Sequence, residues 1–141
     1  MTMDEYEIIE RLPTVAEHQF LWESVGWGDV DTGMTKASIA ASVYGVVAVH
    51  KGVTVGMGRI VGDGAMYFYI QDVAVLPEHQ ASGVGSRILE QLLTFIRTST
   101  HPSGAAFIGL FASEGKEKFY EKHGFRDYSP GMTGMFTVMD R

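Results

Sequence analysis

Apolar positions recur along the chain in two rhythms, alternation in some stretches and a three-to-four spacing in others. The pattern predicts a first strand over residues 6–11. A helix opened by Thr14 follows, with Glu17 three residues on as the reciprocal half of a capping box. That helix turns Phe20, Leu21 and Val25 inward and ends near Gly26-Trp27-Gly28. A second short helix is predicted over residues 36–44, with Ile39, Ala40 and Val43 on one side. Residues 46–50, 53–61 and 65–75 read as an antiparallel meander, joined by the turns Lys51-Gly52 and Gly62-Asp63-Gly64. Gly56 and Gly58 inside the middle strand point to a bulge or a close backbone approach.

The rhythm then changes. Pro77 to Ser82 is a loop, and residues 83–97 carry Val84, Ile88, Leu89, Leu92, Phe95 and Ile96 at helical spacing. Residues 105–111 read as a strand, 113–123 as a helix stopped at Gly124, and 125–128 and 135–139 as short closing strands. This order of elements is mixed, α/β in the α+β sense. At 141 residues it fits a single domain over 1–141.

Charge narrows the function. Eleven Lys and Arg against seventeen Asp and Glu leave a net −6, which argues against a nucleic-acid partner and tolerates a cationic substrate such as an amine. The chain has no Cys, which excludes disulfides, thiolate metal sites and a cysteine nucleophile. No run approaches the ~18 apolar residues of a membrane span. The acidic start, Met1-Thr2-Met3-Asp4-Glu5, lacks the order of a secretion signal, so the expected location is cytoplasmic. His18, His50, His79, His101 and His123 show no metal-ligand spacing, so each reads as a surface or satisfied histidine and no metal is expected.

The segment that carries chemistry runs from Asp72 to Ser86, a strand, a polar loop and then glycines opening an amphipathic helix. A helix start leaves main-chain N–H groups unpaired and partly positive, which suits a diphosphate. Gly83 and Gly85 let a ligand approach the backbone. A Walker A loop is excluded, because Gly115-Lys116 has Leu110 and Glu117 where Gly and Ser or Thr are needed. A dinucleotide fingerprint is excluded too, since Ile88 stands at the third glycine and a meander precedes the loop.

Gln80-x-x-Gly83-x-Gly85 after Val73-x-Val75-x-Pro77 resembles motif A of the GNAT family of N-acetyltransferases. Lys118-Phe119-Tyr120-Glu121-Lys122-His123-Gly124-Phe125 resembles the family's motif B, F-Y-x-K-x-G-F. The resemblance extends over nearly the whole chain. It implies a GNAT fold, with a mixed and mostly antiparallel sheet of about six to seven strands flanked by about four helices. It also implies acetyl-CoA as co-substrate and transfer to an amine. By the same likeness, main-chain groups of Val73, Ala74 and Val75 serve the pantetheine arm. His79, Gln80, Ala81, Ser82, Gly83, Val84, Gly85 and Ser86 serve the diphosphate, and Ser113, Phe119, Tyr120 and Lys122 complete the cofactor contacts. Tyr120 stands at the general-acid position. Two residues depart from the pattern, Ser82 where a basic residue is frequent and Ser113 where Asn is usual. His79 or Arg87 is a candidate for the charge missing at Ser82. Gly131-Met132-Thr133-Gly134-Met135-Phe136, with Val25-Gly26-Trp27, is similar to the serotonin-type arylalkylamine members. Dimers are common in the family, which makes a homodimer the prior for assembly.

Without a cysteine, direct attack of the amine on the thioester is favoured over an acetyl-enzyme. An alkylamine with a pKa of about 10.4 must first lose a proton, at a cost of roughly 4.6 kcal/mol at pH 7. Asp72 is the candidate base by its place at the end of the strand. Simple alternation sets Val73 and Val75 with Gln71 on one face, and Asp72 with Ile70 and Ala74 on the other. Tyr120, protonated at neutral pH, is the candidate donor to the leaving thiolate. A strand N–H near Val75 would polarise the thioester carbonyl. The expected acceptor is the primary amine of a small molecule. The rivals are a protein or peptide amine, or a module that binds acyl-CoA without turnover.

Overall fold

A computed structural model describes residues 5–140. They fall into two compact units, one up to Gly109 and one from Leu110 onward. In the first, β1 (Tyr6–Ile9) leads to α1 (Val15–Ser24) and α2 (Thr32–Ala40). The meander β2 (Tyr44–His50), β3 (Val53–Gly62) and β4 (Tyr67–Val75) follows, then a 3-10 turn at Pro77–His79, α3 (Val84–Ser99) and β5 (Phe107–Gly109). The second unit contains α4 (Glu117–Glu121).

The capping box forms. Glu17 N donates to Thr14 Oγ1 at 3.1 Å and Thr14 N donates to Glu17 Oε1 at 2.8 Å. α1 buries His18 and Leu21, whereas Phe20 is 55% exposed, because residue 20 lies about 100° round the helix from Leu21 and about 160° from His18. α2 begins four residues earlier than its apolar spacing suggests, since the Asp31 carboxylate accepts from Met34 N and opens the helix there.

The five strands lie in sequence order, antiparallel except for β4 and β5. α3 makes the crossover that a parallel pair requires. Its apolar stripe, Val84, Ile88, Leu89, Leu92 and Ile96, is buried on the sheet. Glycine makes this approach possible: a Cβ at Gly58 would stand 2.7 Å from Ile88 Cγ2, and one at Gly56 2.9 Å from Ile88 Cδ1. Neighbouring strand residues point to opposite faces, so Arg59 points away from α3 and bonds Ser38 of α2. The sheet thus has α3 on one face and α1 with α2 on the other.

The sheet has five strands among the described residues, not six or seven, and none follows Gly109. Residues 125–128 and 135–139 carry strand-like alternation but make no ladder, and Phe136 is 81% exposed. Alternation records which faces differ; a strand also needs a neighbour to take its main-chain bonds. Gly115, at φ +81°, similarly keeps residues 113–116 in a turn and delays α4.

Candidate active site

β4 pairs with β5 only from Tyr67 to Tyr69. Beyond that point its outer edge, from Ile70 to Val75, has no strand beside it among the described residues, while β3 covers the inner edge. Within this stretch the register with β3 slips: Arg59 pairs with Gln71 but Met57 pairs with Ala74, so Asp72 and Val73 together face Gly58. This is a β-bulge, and Asp72 adopts the left-handed conformation, at φ +55°.

The extra residue resets the faces. Gln71, opposite Arg59, turns to the α1 and α2 side with Asp72, and Ile70, opposite Ile60, turns to the α3 side with Val73. Simple alternation places Gln71 and Ile70 the other way round because it contains no bulge. Ala74 stays with Asp72, as alternation predicts.

Asp72 is gripped. Arg59 Nε donates to its Oδ2 at 2.7 Å, and His18 Nε2 lies 3.0 Å from the same oxygen. Arg59, 8% exposed, also donates to Ser38 O, Ser42 Oγ and Ser38 Oγ at 3.1, 3.0 and 2.9 Å. Burial alone would raise the Asp72 pKa, but the hydrogen bonds from His18 and Arg59 outweigh it and hold the carboxyl below its usual range. A carboxylate kept ionised in this way is a weak proton acceptor, which opposes the role of base that position alone gives it.

The loop after β4 is pinned to the sheet by Leu76 N on Val55 O at 2.8 Å and by Gln80 Nε2 on Val75 O at 2.9 Å. Gln80 therefore spends its side chain on the loop itself. Ser82 Oγ donates to His79 O. Ala81 (φ +64°) and Gly83 (φ +88°) turn the chain into α3. The first turn of α3 has neither a side-chain cap nor an acidic residue, so the positive end of its dipole is not neutralised locally. His79 and Arg87 are both tied to Tyr6, His79 Nδ1 to its hydroxyl at 2.8 Å and Arg87 Nη1 to its carbonyl at 2.9 Å. The loop residues Ala81 to Ser86 and the β4 residues Val73 to Val75 thus belong to one continuous strand–loop–helix unit.

Ser113, Phe119, Tyr120 and Lys122 belong to the second unit. There Ser113 is exposed and opens a turn with its carbonyl on Lys116 N, and Lys122 closes α4. Tyr120 stands between Phe119 and Phe125, with ring centroids 5.0 and 6.0 Å away. Burial raises its phenol above the ordinary value, so it stays protonated at neutral pH.

The Acetyltransferase (GNAT) domain family matches residues 41–127, from β2 through α4 and past Gly124-Phe125. The chain belongs to the GNAT family. An uncharacterized N-acetyltransferase, ycf52 of Pyropia yezoensis, is 29% identical over 124 residues, 85% of this chain and 69% of that protein. Histone acetyltransferase TAP1 of Glycine max is 30% identical over 86% of this chain and 56% of its own length. SA2161 of methicillin-resistant Staphylococcus aureus, a protein of unknown function described as a probable acetyltransferase, superposes with a TM-score of 0.87 at 27% identity. That match covers 95% of this chain and 99% of the other. The GNAT chain described here is accordingly an acyltransferase, and its family implies acetyl-CoA as co-substrate. No helix among the described residues is long and apolar enough to cross a membrane.

Sequence reasoning misses His18 and Arg59 as members of this site. A signal for Arg59 was present, since a cation inside the apolar strand Val53–Gly62 requires a buried acid. His18 carried none, because its partner lies 54 positions away across a bulge.

Proposed function

We propose that this GNAT enzyme transfers acetyl from acetyl-CoA directly to the primary amine of a small molecule, with no covalent enzyme intermediate. The observation that carries the reading is the uncapped start of α3, entered through Gly83 at φ +88° from the loop that follows a bulged strand whose outer edge, beyond Tyr69, has no strand beside it among the described residues. These features fit the co-substrate. The outer edge of β4 at Val73 to Val75, with no strand beside it among the described residues, suits the amides of a pantetheine arm, and an un-neutralised helix start suits a diphosphate in a chain of net charge −6. An L side chain at Gly83 would be strained whatever the space around it.

Bound there, acetyl-CoA supplies the acetyl group as an activated thioester. A β4 main-chain N–H polarises its carbonyl. Tyr120, assigned by its place in Phe119-Tyr120-Glu121-Lys122 and kept protonated by burial, gives a proton to the sulfur. The absence of cysteine supports direct attack. The acidic surface supports a cationic acceptor. A protein lysine is the second reading, supported by the likeness to a histone acetyltransferase.

Incubation of the protein and acetyl-CoA with phenethylamine, spermidine or a lysine-bearing histone-tail peptide, with released thiol as the readout, separates these readings. Turnover with the free amines at least tenfold above that with the peptide is expected. The reverse order would assign a protein acceptor, and no thiol release with any of them would leave acyl-CoA binding without transfer.

A further inference from the structure

His18 sits on α1 at 3% exposure, its ring stacked on Trp22 with centroids 5.3 Å apart and planes at 26°. Trp22 is itself fixed by Nε1 donating to Trp27 O at 3.1 Å and by edge contact with the Trp27 ring. Nε2 of His18 lies 3.0 Å from Asp72 Oδ2. An ionised carboxylate has no proton to offer, so Nε2 carries the hydrogen and donates it. A neutral imidazole has one N–H, which leaves Nδ1 as a bare acceptor. Nδ1 is buried and has no hydrogen-bond partner among the described residues. Native interiors leave few polar atoms in that condition.

We propose that Nδ1 of His18 takes the proton of the acceptor amine during acetyl transfer, with Asp72 and Arg59 as positioning residues behind it. The proposal deepens, and rests on, the acetyltransferase reading above. Three observations converge on it. The buried chain His18–Asp72–Arg59 ends on Ser38 of α2 and Ser42 just beyond it at one side and on an unpartnered basic nitrogen at the other. Asp72 is the bulged residue directly before Val73, where the free edge of β4 is proposed to meet the thioester arm. The ring cannot turn freely, being held by Trp22 on its face and Asp72 at its edge. The ionisable groups facing the ring are Asp72 from β4 and, through it, Arg59 from β3; α2 contributes Ser38, which holds Arg59.

In the step, the nitrogen lone pair of the amine forms the C–N bond to the acetyl carbon. The C–S bond breaks with its electron pair on sulfur, and the proton lost by nitrogen passes to Nδ1. Sulfur gains one proton to become the thiol, so one amine and one thioester give one amide and one thiol. His18 returns its proton to solvent before the next turnover.

The test pairs activity with a structural readout. In His18→Gln the side-chain amide can still donate to Asp72 but offers no basic nitrogen. With the best amine of the panel, turnover should fall ~10²-fold or more, and the acidic limb of the rate–pH profile should vanish. Acetyl-CoA affinity by calorimetry should stay unchanged. Independently of activity, ¹⁵N NMR of the wild-type ring should show hydrogen on Nε2 and none on Nδ1 in the neutral form, even if the variant fails to fold. Wild-type turnover in a folded His18→Gln protein, or hydrogen on Nδ1, would overturn the role of His18 and leave the acetyltransferase reading standing. A wild-type protein that acetylates none of the three probes would overturn that reading, and the role of His18 with it.

Discussion

Arg59 is a cation in a strand otherwise made of apolar residues, glycines and one threonine, and it is tolerated because every one of its nitrogens meets an acceptor. Removing Asp72 would strand that charge, at a cost of roughly 3–5 kcal/mol, so the pair is structural before it is anything else. The depressed pKa of Asp72 gives its contribution a sign. The stabilisation is present above the unfolded carboxyl pKa and is lost as pH falls through the lower folded value. Tyr120 is the opposite kind of group, its phenol raised by burial and so protonated through neutral pH. Tyr120→Phe keeps the ring among Phe119 and Phe125 and removes only the hydroxyl. Turnover should drop by ~10²-fold while acetyl-CoA affinity is retained, and unchanged turnover would remove Tyr120 as the proton donor. At this scale the sequence shows those residues whose proposed roles are local. Gly83 and Tyr120 lie in short contiguous motifs. His18 was not readable, because what makes it chemical is a partner brought near by folding.

Among elements, β4, its loop and α3 carry the proposed co-substrate site, and glycine sets their spacing. α3 rests so close to β3 that the residue opposite the bulge can carry no side chain. Gly58→Ala would place a Cβ 2.7 Å from Ile88 Cγ2 and 3.1 Å from Leu92 Cδ1. Thermal denaturation should show a loss of about 1–3 kcal/mol. An unchanged melting temperature would mean that α3 does not sit that near the sheet. The two glycines, the capping box and the apolar stripe of α3 were all legible in the sequence, because each follows from local chemistry or period. The bulge was not, since no single residue announces that one strand holds one more than its partner. Nor was the failure of residues 125–128 and 135–139 to pair, because alternation says nothing about a neighbour.

For the molecule as a whole, the proposed function asks an acidic chain to hold an anionic co-substrate and attract a cationic acceptor. On that proposal the first falls to main-chain geometry, which needs no lysine or arginine, and the net −6 is left for the second. Membership of the GNAT family accounts for the fold and for acyl transfer. The grip on the diphosphate is the claim from which the rest follows. Titration of ¹⁵N-labelled protein with acetyl-CoA, observed by amide chemical shifts, tests it most directly. Saturable shifts concentrated at Val73 to Val75 and at Ala81 to Ser86 are expected. Amides that stay in place there at millimolar acetyl-CoA, or shifts confined to other parts of the chain, would contradict it.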